Sequence, residues 1–243
     1  MKKKLFAGFD DSELEAILPR LGCEVKEFKK GEYIFRENDL VDKIGVLLNG
    51  ELLLTKVYPD GGESTFDVLF PAYTFGLDVA ITDKRLSTFS ILVSKPSVIA
   101  GIPFEYNSFL SALPAHLRIV MSANIIRYVS DENIRKQRQI EIISQKGLRD
   151  RISAYLEIMR DRSGNSFTIP YSREQLANYL CVNRSALSHE LSLMRSEGLI
   201  DFRMNEFSIA RGYSHSMVRV SENVHLRNRE ERHQNPSKFP RKM

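Results

Sequence analysis

At 243 residues, with 42% hydrophobic and 27% charged side chains, the chain is long enough to bury two separate cores. No apolar run reaches the roughly 18 residues of a membrane-spanning helix, and the Met1-Lys2-Lys3-Lys4 start lacks the apolar stretch of a secretion signal, so a cytoplasmic protein with no membrane partner is expected. Two widely spaced cysteines, Cys23 and Cys181, exclude a disulfide framework and a four-cysteine iron–sulfur site.

The net charge of +4 is no argument for nucleic acid. Residues 210–243 hold eight Lys or Arg against three Glu, leaving residues 1–209 at −1. That tail is polar, basic and aperiodic, and is expected to be disordered.

In chain order, residues 5–20 read as a lead-in and a short helix capped near Asp11 or Ser12, with Leu14, Ile17 and Leu18 on one side. From Gly31 the period changes. Glu32–Arg36, Ile44–Leu48, Glu51–Lys56, Glu63–Phe70 and Ser97–Ile102 are short β-rich runs separated by turn signals. Asn49-Gly50 predicts a two-residue hairpin turn, and Asp60-Gly61-Gly62 a second. Alternation in residues 63–70 puts Phe66, Val68 and Phe70 on one face. Many short antiparallel strands predict a jelly-roll or barrel. Such folds host enzymes and sensors alike. A metal-dependent enzyme would need histidine ligands inside the roll, and the first histidine is His116, beyond it. With no phosphate-binding glycine loop and no nucleophile motif, no enzymatic activity, metal or haem is expected.

After Pro103 the pattern turns helical. Leu117, Val120, Met121, Asn124 and Tyr128 recur at three- and four-residue steps behind Pro114, a residue suited to a first helical turn. About thirty residues make a helix of roughly 45 Å. One apolar stripe of that length suits either a coiled-coil partner or the helix's own roll. Residues 131–139 read as mostly solvated. Gly147 marks a hinge, and Leu148–Arg162 a second amphipathic helix with Leu148, Ile152, Tyr155, Leu156 and Met159 on its apolar side. Ser163-Gly164-Asn165 is a turn leading to a short strand at residues 167–170.

Residues 171–200 organise the rest. Ser172 with Gln175 makes a capping box, Leu176, Ala177 and Leu180 follow at helical spacing, and Cys181-Val182-Asn183 breaks the pattern. Asn183 caps a second helix, with Leu187, Leu191 and Met194 on one face and Arg184, Ser185, Ser188 and His189 on the other. Gly198 ends it in the left-handed region. Cys181 is expected to be a buried structural thiol. Residues 199–202, a polar turn at 203–206 and residues 207–209 then form a hairpin. Helix, short turn, polar-faced helix and hairpin together read as a winged helix-turn-helix, whose second helix enters the DNA major groove.

The segment SREQLANYL-CVN-RSALSHELSLMRSEGLI, residues 172–200, resembles the DNA-binding helices of the Crp/Fnr superfamily, without a gap. The resemblance implies an α+β chain: a jelly-roll effector-sensing domain (1–112), a dimerisation helix and hinge (113–145), a winged helix-turn-helix domain (146–209) and a tail (210–243). It implies a homodimer paired through Leu117, Val120, Met121, Asn124 and Tyr128, Asn124 fixing the register, with double-stranded DNA and RNA polymerase as partners. It places Arg184, Ser185, Ser188 and His189 at base-reading positions, and Arg173 with the backbone at Ser172 at phosphate contacts. His189 stands where most relatives have Arg, and one directed donor replaces a bidentate grip on guanine.

The same resemblance places an effector pocket at Gly76, Leu77, Arg85, Ser87 and Thr88. Cyclic-nucleotide binders of the family carry a Gly-Glu pair there and an Arg-Ser pair about ten residues on. Here Leu77 replaces the Glu, Ser87-Thr88 fall at the Arg-Ser positions, and Arg85 comes two residues early. The missing phosphate partner is worth roughly 1.5–3 kcal/mol, so a small-molecule effector other than cyclic AMP, or none, is expected. The competing reading is a sensor module acting through a protein partner rather than DNA.

Overall fold

The computed structural model describes residues 5–58 and 62–210. The elements are α1 (Asp11–Arg20), β1 (Glu24–Phe28), β2 (Tyr33–Phe35), β3 (Lys43–Val57), β4 (Glu63–Leu69), β5 (Thr74–Phe75), α2 (Leu77–Ala80), β6 (Ser90–Pro103), α3 (Tyr106–Ser111), α4 (Ala115–Ile143), α5 (Leu148–Ser163), β7 (Ser166–Thr168), α6 (Arg173–Tyr179), α7 (Arg184–Ser196), β8 (Ile200–Arg203) and β9 (Glu206–Ile209). The chain divides into two compact units, between Arg138 and Gln139. The basic tail lies outside the described residues.

In the first unit an antiparallel sheet runs β1-β6-β3-β4, with β2 on β6 and β5 on β3. Asn49-Gly50 does not reverse the chain. β3 continues through it as one strand, and β6 pairs with it on both sides, from Ile44↔Ile102 to Thr55↔Ser90. Gly50, at φ +100°, takes up the register shifts, and any side chain there would strike Ser97. The glycine serves a bulge in two strands that bend together. Of the second turn signal, Asp60 and Gly61 lie outside the described residues; β3 and β4 pair across it from Val57↔Glu63.

On β4 three successive residues, Asp67, Val68 and Leu69, are buried, one of them from the face shared with Phe66 and Phe70. Leu69 joins Leu47, Leu52, Phe75, Ile91, Val93 and Ile99 inside the roll. Asp67 is buried beside it, whereas Phe66 stacks edge-on against Phe89. A charged residue occupies an inward position, which the alternation rule assigns to the apolar set.

A second core lies between the roll and its helices, built by Leu5, Phe6, Leu14, Ile17, Leu77, Ile102, Phe109, Leu117, Met121, Ile125 and Tyr128 among others. The proposed pairing stripe of α4 is therefore used within the protomer. Leu117, Met121, Asn124 and Tyr128 are buried and Val120 is packed against the same cluster. Asn124 donates to the carbonyls of Leu5 (3.0 Å) and Ala7 (2.7 Å), and the Tyr128 hydroxyl to that of Thr74 (2.5 Å). Leu117, Met121, Asn124 and Tyr128 are thus core residues rather than dimer contacts, and Val120 is partly buried against them. The exposed apolar face of α4 is instead Ile119 (79% exposed), Ile126 (65%) and Ile134, with Ile140 further along.

The second unit holds α5, α6, α7 and a sheet of order β7-β9-β8. Its core includes Ile142, Ile152, Tyr155, Leu156, Leu176, Leu180, Leu187, Leu191, Met194 and Phe207. The capping box at Ser172 and Gln175 forms, the Asn183 side chain accepts from Ala186 N, and Gly198 has φ +74°. Cys181 departs from expectation: it is exposed, at φ +55° in the turn.

Candidate nucleic-acid interface

The helix-turn-helix is built by local chemistry. Each helix start is satisfied by its own side chain, and the turn closes when Val182 N donates to Ala177 O at 2.9 Å. Leu187, Leu191 and Met194 anchor α7, which leaves Arg184, Ser185, Ser188 and His189 together on the solvent side. Within that face the Ser185 hydroxyl donates to Asn183 Oδ1 (2.9 Å), and Ser192 donates to the Ser188 carbonyl (2.9 Å).

Two arginines at the start of α5 hold this pair of helices. Arg149 gives Nη1 and Nη2 to Glu197 at 2.7 and 3.0 Å and Nε to Glu190 at 2.5 Å. Burial works against its charge, but the bonds to Glu197 and Glu190 prevail and hold it firmly protonated. Arg151 reaches from Gln145 O (3.0 Å), in the hinge, to Leu180 O (3.2 Å), at the end of α6. The apolar pattern of α5 reveals neither residue. One signal was available: basic side chains in a first helical turn oppose the macrodipole, so they need partners outside their own helix.

The two expected phosphate contacts are engaged elsewhere. Ser172 N already donates to Gln175 Oε1 at 2.8 Å. The Arg173 guanidinium lies 4.8 Å from the centroids of both Phe202 and Phe207, and its Nη2 donates to Met204 O at 2.8 Å. Burial lowers its pKa. Arg173 thus binds the β8–β9 wing while remaining partly exposed.

Of the expected effector residues, Gly76 and Arg85 both lie beside Val41, whose N donates to Arg85 O at 2.7 Å. Gly76 opens α2 at φ +83°, and Leu77 is fully buried in the helix-side core. Arg85 lines a surface hollow with Arg20, Asp42 and Glu105. The Ser87 hydroxyl donates to Phe89 O at 2.5 Å, and Thr88 is exposed.

What joins roll and α4 is a buried polar cluster. Arg135 donates to Asp67 Oδ2 (2.6 Å), Glu132 Oε2 (2.9 Å) and the Tyr73 oxygen (3.0 Å), while the Tyr73 hydroxyl donates to Glu132. Burial raises the Asp67 carboxyl and the Tyr73 hydroxyl; for Arg135, burial is outweighed by Asp67, which keeps it charged. Residues 131–139 are therefore not simply solvated.

Residues 25–112 match the cyclic nucleotide-binding domain family and residues 150–211 the Crp-like helix-turn-helix domain family. The transcriptional activator protein FnrA of Stutzerimonas stutzeri is 27% identical over 190 residues, 76% of this chain and 75% of that one. A global nitrogen regulator of Synechocystis is 24% identical over 82% of this chain and 92% of its own length. The c-di-GMP responsive regulator CLP of Xanthomonas campestris shares the fold at TM-score 0.61 and 15% identity, covering 82% of this chain and 99% of that one. CprK complexed with OCPA does so at 0.62 and 16%, covering 85% and 91%. Two domain matches in family order, with regulators as relatives along most of both chains, make this chain a DNA-binding transcription regulator of the Crp/Fnr type.

Proposed function

We propose that the protein reads a palindromic operator as a homodimer through Arg184, Ser185, Ser188 and His189, in the cytoplasm and in concert with RNA polymerase rather than by catalysing a reaction. The observation that carries this is the α7 face: those four side chains stand clear of the core while Arg149 holds the opposite side of the helix to α5. A two-fold dimer would present two such helices to half-sites one helical turn apart, about 34–36 Å.

Pairing is assigned to the α4 face of Ile119, Ile126 and Ile134. Their spacing of seven and eight residues keeps them on one side of the helix, and among the described residues Ile119 and Ile126 stand largely uncovered. A small molecule other than cyclic AMP is proposed as the signal, acting by population shift. Leu77 in the core and Ser87 turned to its own loop leave a cyclic phosphate without its charged partner. The names of the relatives favour no single effector. With only Cys23 and Cys181 in the chain, no iron–sulfur cluster is proposed.

Sedimentation of the protein with a duplex tests this reading. Two protomers per duplex are expected, with affinity falling linearly on a log–log salt plot as counterions are released. Monomers that ignore duplex DNA would refute it.

A further inference from the structure

We infer that the hollow between β1, β2 and the start of β3 is a binding site for a free aliphatic carboxylic acid, with the carboxylate on Lys43 and the chain along β1. This deepens the small-molecule signal proposed above and rests on it only for the consequence to DNA binding. The hollow has a volume of about 520 Å³, within the roughly 300–1,000 Å³ of small-molecule sites. Phe28, Ile34, Phe35, Phe75 and Ile99 give it apolar walls, and neither Leu77 nor residues 85–88 line it. It is thus separate from the segment where the family resemblance puts an effector.

Two glycines make its floor. Gly45 and Gly101 stand directly opposite each other on β3 and β6. The protein itself requires Gly45, because a Cβ there would fall 2.1 Å from the Phe75 ring. Gly101 has no such reason. Its φ lies outside the left-handed region, and among the described residues a Cβ would meet nothing nearer than Glu24 O at 3.9 Å. Pairing to Glu24 of β1 and Gly45 of β3 is regular, so no bulge accounts for it. Glycine inside a strand gives up stability relative to alanine, and what remains is close approach of a ligand.

Shape and charge specify the occupant. Glu24, Lys26 and Phe28 share the face of Gly101, and the trough beside them runs about 13 Å at 3.3 Å per residue. That length suits an extended chain better than a single ring. Of the charged groups lining the hollow, Glu24 is held by Lys26 at 2.9 Å, and Asp39 accepts from Arg36 N at 2.7 Å in its own turn. Asp42 also borders the neighbouring hollow of Arg20 and Arg85. Lys43 makes no ion pair within 4 Å among the described residues and pairs across from Pro103, at the end away from Phe28. An ammonium at one end of an apolar trough fits a carboxylate at one end of a chain. The wall also reaches the rest of the sensor: Phe75 leads through Gly76 into α2, and Asp78 of α2 pairs with Lys136 of α4 at 3.0 Å. Occupancy beside Phe75 therefore biases α2 and α4 together.

The test is calorimetric titration of the full chain with octanoate, decanoate and decanol, with duplex affinity followed by fluorescence anisotropy. Decanoate should saturate, gaining about fourfold in affinity per methylene over octanoate and about tenfold over decanol. Gly101→Leu, which fills the floor, should melt no lower than the parent and lose decanoate binding. Lys43→Gln, on the rim, should bring decanoate down to the affinity of decanol and decides the matter should Gly101→Leu melt early. No saturable binding of either acid overturns the inference. So does equal affinity for decanol, or binding that Lys43→Gln leaves unchanged, because the carboxylate would then sit elsewhere. Binding that follows the variants while duplex affinity stays fixed upholds the site and overturns the small-molecule signal; a shift in duplex affinity upholds both.

Discussion

Arg135 Nη1 stands 2.6 Å from Asp67 Oδ2, an ion pair that ties α4 to β4 where both are largely shielded from water. The same guanidinium serves Glu132, so two buried carboxylates share one cation. Burial, the largest influence, holds the Asp67 carboxyl above the usual range against the pull of Arg135. A raised carboxyl contributes stability that is complete below its unfolded pKa and disappears as pH rises through its folded pKa.

Removing the shared cation should therefore hurt far more than removing one acid. Arg135→Leu is expected to cost about 3–5 kcal/mol at pH 7, because two buried charges lose their partner. That loss should shrink as pH falls and Asp67, whose carboxyl is raised by burial, protonates. Asp67→Asn should cost less than about 1 kcal/mol and flatten the decline of stability between weakly acidic and neutral pH. Urea unfolding at several pH values checks both, and equal losses would contradict the shared-cation geometry.

The two apolar faces of α4 should separate cleanly on substitution. Ile126→Glu places a charge on the exposed face and should yield folded monomers by sedimentation, with the melting temperature of the roll little changed. Leu117→Glu places one in the core beside Met121 and should unfold the first unit. A dimer that survives Ile119→Glu with Ile126→Glu would put the pairing surface elsewhere.

Arg149→Met should destabilise the second unit by about 1.5–3 kcal/mol, the loss of charge-assisted bonds to Glu190 and Glu197. DNA affinity should fall as well, since α7 loses its tie to α5. Thermal melting with duplex binding by fluorescence anisotropy would show it; an unaltered melt would mean that the ion pairs are offset by their desolvation.

The helix-turn-helix was legible because its signals are local. Ser172 with Gln175, Asn183 and Gly198 each fix a helix end within a few residues, and the Leu187-Leu191-Met194 stripe sets which side faces out. Strand pairing and helix docking were less legible. Asn49-Gly50 reads as a hairpin unless one knows that β6 pairs on both sides of it. α4 carries two apolar stripes, and the inward one is chosen by a segment more than a hundred residues away, through the bonds of Asn124 to Leu5 and Ala7. Asp67 and Arg135 were hidden for a related reason: each reads as solvated until its partner is in place. The wing contacts of Arg173 were hidden as well, because the aromatic residues it stacks on lie some thirty positions further along the chain.

Selection of bound sequences from a random duplex pool, run in parallel for the parent protein, Arg184→Ala and His189→Arg, tests the DNA-reading claim most directly. The parent should enrich an inverted repeat with half-sites about 10 base pairs apart. Arg184→Ala should cost about 1–3 kcal/mol on that site and far less on random DNA. His189→Arg should move one position of each half-site toward guanine, because a guanidinium can grip O6 and N7 together. No enriched repeat, or a consensus that neither substitution alters, would contradict the assignment of α7 as the helix that reads DNA.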